Sequence, residues 1–233
     1  MPQDLSGKIA VITGASRGIG AATALKLGAM GAQCVLVART VGGLEATDDA
    51  IRQAGGPRAV IVPLDLSKEH EKIDALGAEL FARYGRVDIL IGNAAQLGIL
   101  SPVGHIEPRT WDETFALNVT ANYRLLRSFD PLLHQSAAGR ALFVTCAAAQ
   151  SAAPFWGVYA ASKAALEKTV ACYAAEVRES KIKALCIDPG ITATKLYSIA
   201  FPGVSQTQLA SPETAAAQVV TQLLALYPPA PNI

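Results

Sequence analysis

Short apolar runs without alternation recur between longer amphipathic stretches along this chain, and that rhythm restricts the fold more than any other feature. Lys8–Thr13, Gln33–Ala38, Arg58–Pro63, Val87–Ile91, Ala141–Thr145 and Ile182–Ile187 read as six strands. Strands apolar on both faces belong to a sheet that is covered on both sides. Gly18–Gly31, Gly42–Ala54, Ser67–Tyr84, Pro108–His134 and Val158–Ser180 read as the intervening helices, and Pro212–Leu226 as a last one. Ser67 is the expected N-cap of the third helix, with Glu69 and Glu71 in its first turn. Pro131 removes a backbone donor and is the expected point of distortion in the long fourth helix. Strict alternation of strand and helix implies parallel pairing through right-handed crossovers. The expectation is an α/β chain folded as one doubly wound domain over residues 1–233, with six strands or seven and helices on both faces.

Half of the 233 residues are hydrophobic, enough for a sizeable core. A net charge of +1 argues against a general affinity for nucleic acid or acidic membranes. No apolar run reaches the roughly 20 residues of a membrane helix. Met1–Lys8 lacks the apolar core of a signal peptide. Cys34, Cys146, Cys172 and Cys186 are scattered, as are His70, His105 and His134. Neither set suggests a disulfide framework or a metal site, and the histidines are expected at the surface. The expected compartment is the reducing cytoplasm.

In a doubly wound sheet, ligands sit beyond the carboxyl ends of the strands. The first such end runs into Thr13-Gly14-Ala-Ser16-Arg17-Gly18-Ile19-Gly20. Glycines there let the backbone turn tightly and approach phosphate, and the helix that follows offers free amides to the anion. The second strand ends in Ala38-Arg39-Thr40, without the acid that commonly holds the ribose hydroxyls of NAD. Arg39, assisted by Arg17, offers a planar fork of donors to a 2′-phosphate instead. NADP(H) is therefore favoured over NAD(H). Asp65, followed by Leu66, is a candidate acceptor for the adenine amine, and the backbone at Asn93-Ala94 a candidate lining for the adenosine ribose.

Tyr159 and Lys163 are spaced i, i+4 and share a helix face. A nearby ammonium and a nicotinamide cation are expected to favour the phenolate and lower the tyrosine pKa. A phenol tuned in this way protonates a developing alkoxide or deprotonates an alcohol. The pair also occurs by chance on many helices. Its place downstream of the glycine turn gives it meaning.

Taken together, Thr13-Gly14-x-x-x-Gly18-x-Gly20, Asp65, Asn93-Ala94, Asn118, Tyr159-x-x-x-Lys163 and Pro189-Gly190-x-Thr192-x-Thr194 resemble the short-chain dehydrogenase/reductase family from Gly7 to about Leu196. The resemblance implies a Rossmann-like domain that moves hydride between NAD(P)H and a carbonyl or alcohol. It implies Tyr159 as general acid/base, Lys163 as its tuner and ribose ligand, and Asn118 as the holder of a relay water. Pro189 to Thr194 would cover the nicotinamide, with the Thr192 backbone near its carboxamide. Members pair through their two long helices as dimers or tetramers. Tyr227–Ile233 replaces the family's usual seventh strand and Asp-Gly-Gly ending, so a homodimer is expected.

One position departs sharply. The family's substrate-orienting serine is here Cys146, a weaker donor and a larger atom. That leaves three readings: a slow enzyme, a different substrate, or an inactive NADP(H)-binding sensor or scaffold. Thr145 is expected to point the other way, and Ser151 is a candidate substitute hydroxyl. Gly92-Asn93-Ala94-Ala95 and Asp188-Pro189-Gly190 are milder departures. Leu97, Phe155, Trp156, Tyr197 and Phe201 are candidates for an apolar pocket under a short lid, Lys195 to Ala210.

Overall fold

A computed structural model describes residues 4–227. The signal-peptide expectation falls partly, and the C-terminal tail from residue 228 wholly, outside the described residues. The six runs form β1 (Ile9–Thr13), β2 (Gln33–Ala38), β3 (Val60–Pro63), β4 (Ile89–Gly92), β5 (Arg140–Val144) and β6 (Lys183–Ile187). All pair in parallel, in the order β3-β2-β1-β4-β5-β6. The order reverses between β1 and β4, which opens a crevice at their carboxyl ends.

Both faces of the sheet are packed. Val11, Val35, Val37, Leu90 and Phe143 face one way, against α3 (His70–Tyr84), α5 (Ala121–His134) and α6 (Gly157–Glu176). Ile12, Leu36, Ile91, Leu142 and Val144 face the other, against α1 (Gly18–Ala29), α2 (Val41–Gln53) and α8 (Pro212–Ala225). Two-residue periodicity with a core on each side explains why the strands read as unbroken apolar runs.

Three expectations change. Helix α3 begins at His70 with Glu69 before it, and Ser67 caps nothing. The Ser67 amide and hydroxyl instead donate to Asp65 Oδ1, at 3.0 and 2.6 Å, tightening the loop after β3. The long helix from Pro108 runs through Pro131, whose ring is exposed. Its irregularity is a π turn, Ala116–Thr120, between α4 (Pro108–Phe115) and α5. The Asn122 side chain donates to the Asn118 carbonyl at 2.8 Å and competes with the regular ladder there. His70 is half-buried, with Nε2 at 3.2 Å from the Ala116 carbonyl of that turn, whereas His105 and His134 are exposed. The lid segment contains a helix the sequence reading lacks, α7 (Lys195–Ala200), capped by Thr194 Oγ1, which accepts from the Tyr197 amide at 3.2 Å.

Candidate active site

The crevice at the switch point is a cleft of about 880 Å³ that extends from the glycine turn to the lid. Its floor is held by Thr13. The Thr13 hydroxyl accepts from the Asn93 and Ala94 amides, at 2.9 and 3.1 Å, and the Asn93 side chain donates to the Thr13 carbonyl at 3.0 Å. These bonds join the ends of β1 and β4, so Asn93 is first a structural clamp.

Above that clamp, Gly18 lies at φ +57°, a region costly for other residues, and faces Thr194 across the cleft. Gly20 is fixed by close approach: a Cβ there would sit 2.4 Å from the Gly14 carbonyl oxygen and 2.5 Å from Asn93 Nδ2. The first turn of α1 carries no acidic residue and no side-chain cap, so its amides face the cleft unsatisfied by the protein's own side chains. Gly20→Ala is expected to push α1 away from β4. Overpacking of this kind costs roughly 1–3 kcal/mol, a Tm lower by about 2–12 °C. Thermal unfolding with and without dinucleotide checks it: a Tm unchanged in both would contradict the packing argument.

Ser16, Arg17, Ile19, Arg39, Asp65 and Leu66 line the same end. Arg39 lies 3.9 Å from Asp65, with its side chain 62% exposed. Such a loose exposed pair is worth little and yields readily to a better anion. Burial alone would raise the Asp65 carboxyl, but Ser67, Arg39 and Lys68 together hold it below its ordinary value.

At the other end, Tyr159 and Lys163 are 6% and 2% exposed, both lining the cleft. Lys163 Nζ donates to the Val144 carbonyl at 2.8 Å and lies 5.8 Å from the centre of the Tyr159 ring. Without a dinucleotide the phenol is driven upward. Burial is the first cause, and Cys146, within hydrogen-bonding reach, and Asp188 add to it. Burial also draws the Lys163 ammonium below its ordinary value.

Asn118 is fully buried in the π turn. Its Oδ1 accepts from the Gln96 amide, and its Nδ2 donates to the Gln96 carbonyl and to Ser162 Oγ, each at 2.9 Å. Ser162 in turn donates to the Tyr159 carbonyl at 2.8 Å. The Asn118 side chain is therefore a brace linking the loop after β4 to the tyrosine's turn. Gln96 and Ser162 were not singled out from the sequence, although Ser162 stands inside Tyr159-x-x-x-Lys163.

Thr145 lines the cleft as Cys146 does, and its hydroxyl donates to Glu167 Oε1 at 2.7 Å. Ser151 is exposed on the cleft wall. Asp188 Oδ1 accepts from the Gly190 amide at 2.8 Å, shaping the turn that starts the Pro189–Thr194 wall. The Ala193 amide donates to Ala210 at 2.8 Å, anchoring that wall to the far end of the lid.

Leu97, Cys146, Ala148, Trp156, Tyr159, Leu196 and Ala200 form an apolar cluster separate from the two main cores. The Phe201 ring packs tilted against Trp156 and Tyr197, with centroids 5.7 and 4.7 Å away. Phe155 is the exception among the predicted lining residues. Its φ of +73° turns the side chain outward, 56% exposed, while its carbonyl accepts from the Ser101 amide. Among the described residues no group of three His, Cys, Asp or Glu side chains gathers to hold a metal ion, and no helix is long and apolar enough to cross a membrane.

The family described as short chain dehydrogenase matches residues 8–202. The chain is 31% identical over 209 residues to the uncharacterized oxidoreductase YciK of Escherichia coli, covering 89% of this chain and 82% of that protein. It is 32% identical over 210 residues to an NADPH-dependent aldehyde reductase-like chloroplastic protein of Arabidopsis thaliana, covering 84% and 76%. A metagenomic short-chain oxidoreductase solved in complex with NADP superimposes with a TM-score of 0.80 at 34% identity, covering 96% of this chain and 92% of that one.

Proposed function

The chain belongs to the short-chain dehydrogenase family, and from that premise we propose that it is an NADPH-dependent oxidoreductase acting on an apolar ketone, aldehyde or secondary alcohol. One observation carries the reading: the buried Tyr159–Lys163 pair lines the same cleft as the glycine turn.

The glycine-lined approach at Gly14, Gly18 and Gly20, with Ser16, Arg17 and Ile19, fits a pyrophosphate on the α1 amides. Arg39 and Arg17 fit a 2′-phosphate, and the relatives named for NADPH or solved with NADP support that preference. Asp65 and Leu66 would hold the adenine, Asn93 and Ala94 the adenosine ribose, and Pro189, Gly190, Thr192 and Thr194 the nicotinamide. When bound, the cofactor supplies or takes the hydride. Tyr159 delivers a proton to the carbonyl oxygen or removes one from the alcohol. Lys163 holds the ribose and refills the phenol. Asn118 keeps the Gln96 loop and the Tyr159 turn in register, and would hold a relay water.

At the substrate end Leu97, Trp156, Leu196 and Phe201 line the cleft with Tyr159 and give it an apolar wall. An apolar carbonyl compound therefore fits better than a carboxylate or phosphate. We take residues 1–233 as one domain that pairs through the outer faces of α5 and α6, where Tyr123 is exposed, into a cytoplasmic homodimer. Four free cysteines suit a reducing compartment.

The test is NADPH oxidation against a panel of aldehydes and ketones graded in hydrophobicity, with NADH in parallel. Arg39→Ala is expected to raise the NADPH KM by about 10- to 100-fold, the worth of charge-assisted hydrogen bonds, and to leave the NADH KM unchanged. An equal effect on both would remove the 2′-phosphate assignment. Cys146 favours a second reading, a weak or inactive NADP(H)-binding sensor or scaffold; dinucleotide binding without turnover on any panel member would support it.

A further inference from the structure

Helix α6 carries three polar side chains on one line: Tyr159, Lys163 and Glu167, each one turn from the next. The first two are buried and the third is half-buried. Glu167 is not free on its helix. Thr145, 8% exposed at the end of β5, grips its Oε1 with a 2.7 Å hydrogen bond. That bond turns the carboxylate inward, toward the β5 and β6 ends that also surround Lys163.

Lys163 needs such a neighbour. Among the described residues, its Nζ donates one hydrogen bond, to the neutral Val144 carbonyl, and no carboxylate oxygen comes within 4.0 Å of it. A buried ammonium with a single neutral acceptor is costly. We propose that Glu167, fixed by Thr145, is the counter-charge that keeps Lys163 an ammonium, and so is a positioning residue for the Tyr159–Lys163 pair. Its catalytic consequence rests on the reading of that pair given above; its effect on Lys163 does not.

The other groups around Lys163 are Tyr159 on its own helix, Cys146 beyond β5, and Cys186 and Asp188 on and beyond β6. Tyr159 is held in its neutral form by burial first. Burial, followed by Glu167, pushes the Cys186 thiol up to about 12, so it is uncharged near neutral pH. Asp188 is exposed to solvent and engaged with the Gly190 amide. Glu167 is the carboxylate that the fold anchors one helical turn from the ammonium. Removing its negative charge favours loss of the Lys163 proton, so the titration of Lys163 moves to lower pH.

The experiment is a pH titration of full-length protein carrying ¹³Cε-lysine, followed by NMR. The Lys163 resonance is assigned by its loss in Lys163→Met. Glu167→Gln is expected to lower the Lys163 midpoint by about one pH unit, and Glu167→Asp, which restores the charge, to recover most of it. Thr145→Val leaves the charge but frees the carboxylate, and is expected to lower the midpoint by less. A Lys163 midpoint in Glu167→Gln equal to the native one would overturn the proposal. Should that variant not fold, an unmoved midpoint in Thr145→Val overturns it. An absence of turnover on every substrate tested would count against the reductase reading, while the NMR midpoint would still decide the role of Glu167.

Discussion

Tyr159→Phe is expected to lower turnover by about 10²–10⁴-fold, the contribution of a positioned general acid, with the NADPH Kd nearly unchanged. The phenol oxygen is the group on that residue able to pass a proton, and phenylalanine keeps the ring packed near Trp156, 6.0 Å away between centroids. Folding and the dinucleotide site should therefore survive. The direction of the tyrosine shift adds a pH signature. Burial, Cys146 and Asp188 drive the phenol upward, so it keeps its proton through neutral pH and is set as an acid. Reduction should be nearly flat across neutral pH and fall only at alkaline pH, as the proton is lost. Oxidation needs the phenolate and should rise with pH over that same range. Initial rates in both directions, with Kd measured by fluorescence quenching, check this. A Tyr159→Phe protein that retains native turnover would remove Tyr159 from the chemistry.

Cys146→Ser is expected to raise kcat by about 10- to 100-fold, with dinucleotide affinity unchanged. The sulfur lines the cleft in the same cluster as Tyr159, so a donor there would be available to a substrate oxygen. A thiol donates weakly, and an oxyanion donor is worth about 10²–10³ in rate where it has been removed from other enzymes. Part of that gain is withheld because Cys146 belongs to the apolar cluster with Leu97 and Trp156, and a hydroxyl is less at home there. Steady-state kinetics on the best panel substrate decide it. No gain, with dinucleotide still bound, would favour the binding-module reading over an enzyme lacking one donor.

Much of this was legible because it is local. The six apolar runs, the glycine turn and the Tyr159–Lys163 spacing are short patterns whose physics needs no distant partner. Sheet coverage follows from runs apolar on both faces, and strand–helix alternation permits little besides parallel pairing. Shape complementarity at Gly20 was readable as a glycine pattern, although its cause, the Gly14 carbonyl and Asn93, lies on other turns.

The misreadings share the opposite character. Ser67 looked like a cap because it precedes an amphipathic stretch, yet Asp65 took its hydroxyl. Pro131 looked like the weak point of its helix, yet the helix yields at Asn118, drawn to a loop 22 residues back. Phe155 looked like pocket lining until its backbone turned it outward. The depth of burial around Tyr159 was not legible either, because desolvation is a sum over all surrounding atoms. The sequence alone thus determined the architecture, the order of the elements and the candidate residues that come to line one cleft, since periodicity, turn geometry and functional groups belong to short stretches of chain. The tertiary structure alone decided the bracing of Asn118, the grip of Thr145 on Glu167 and the burial of Tyr159, because burial and hydrogen-bond partners are set by residues that meet only when the sheet has formed.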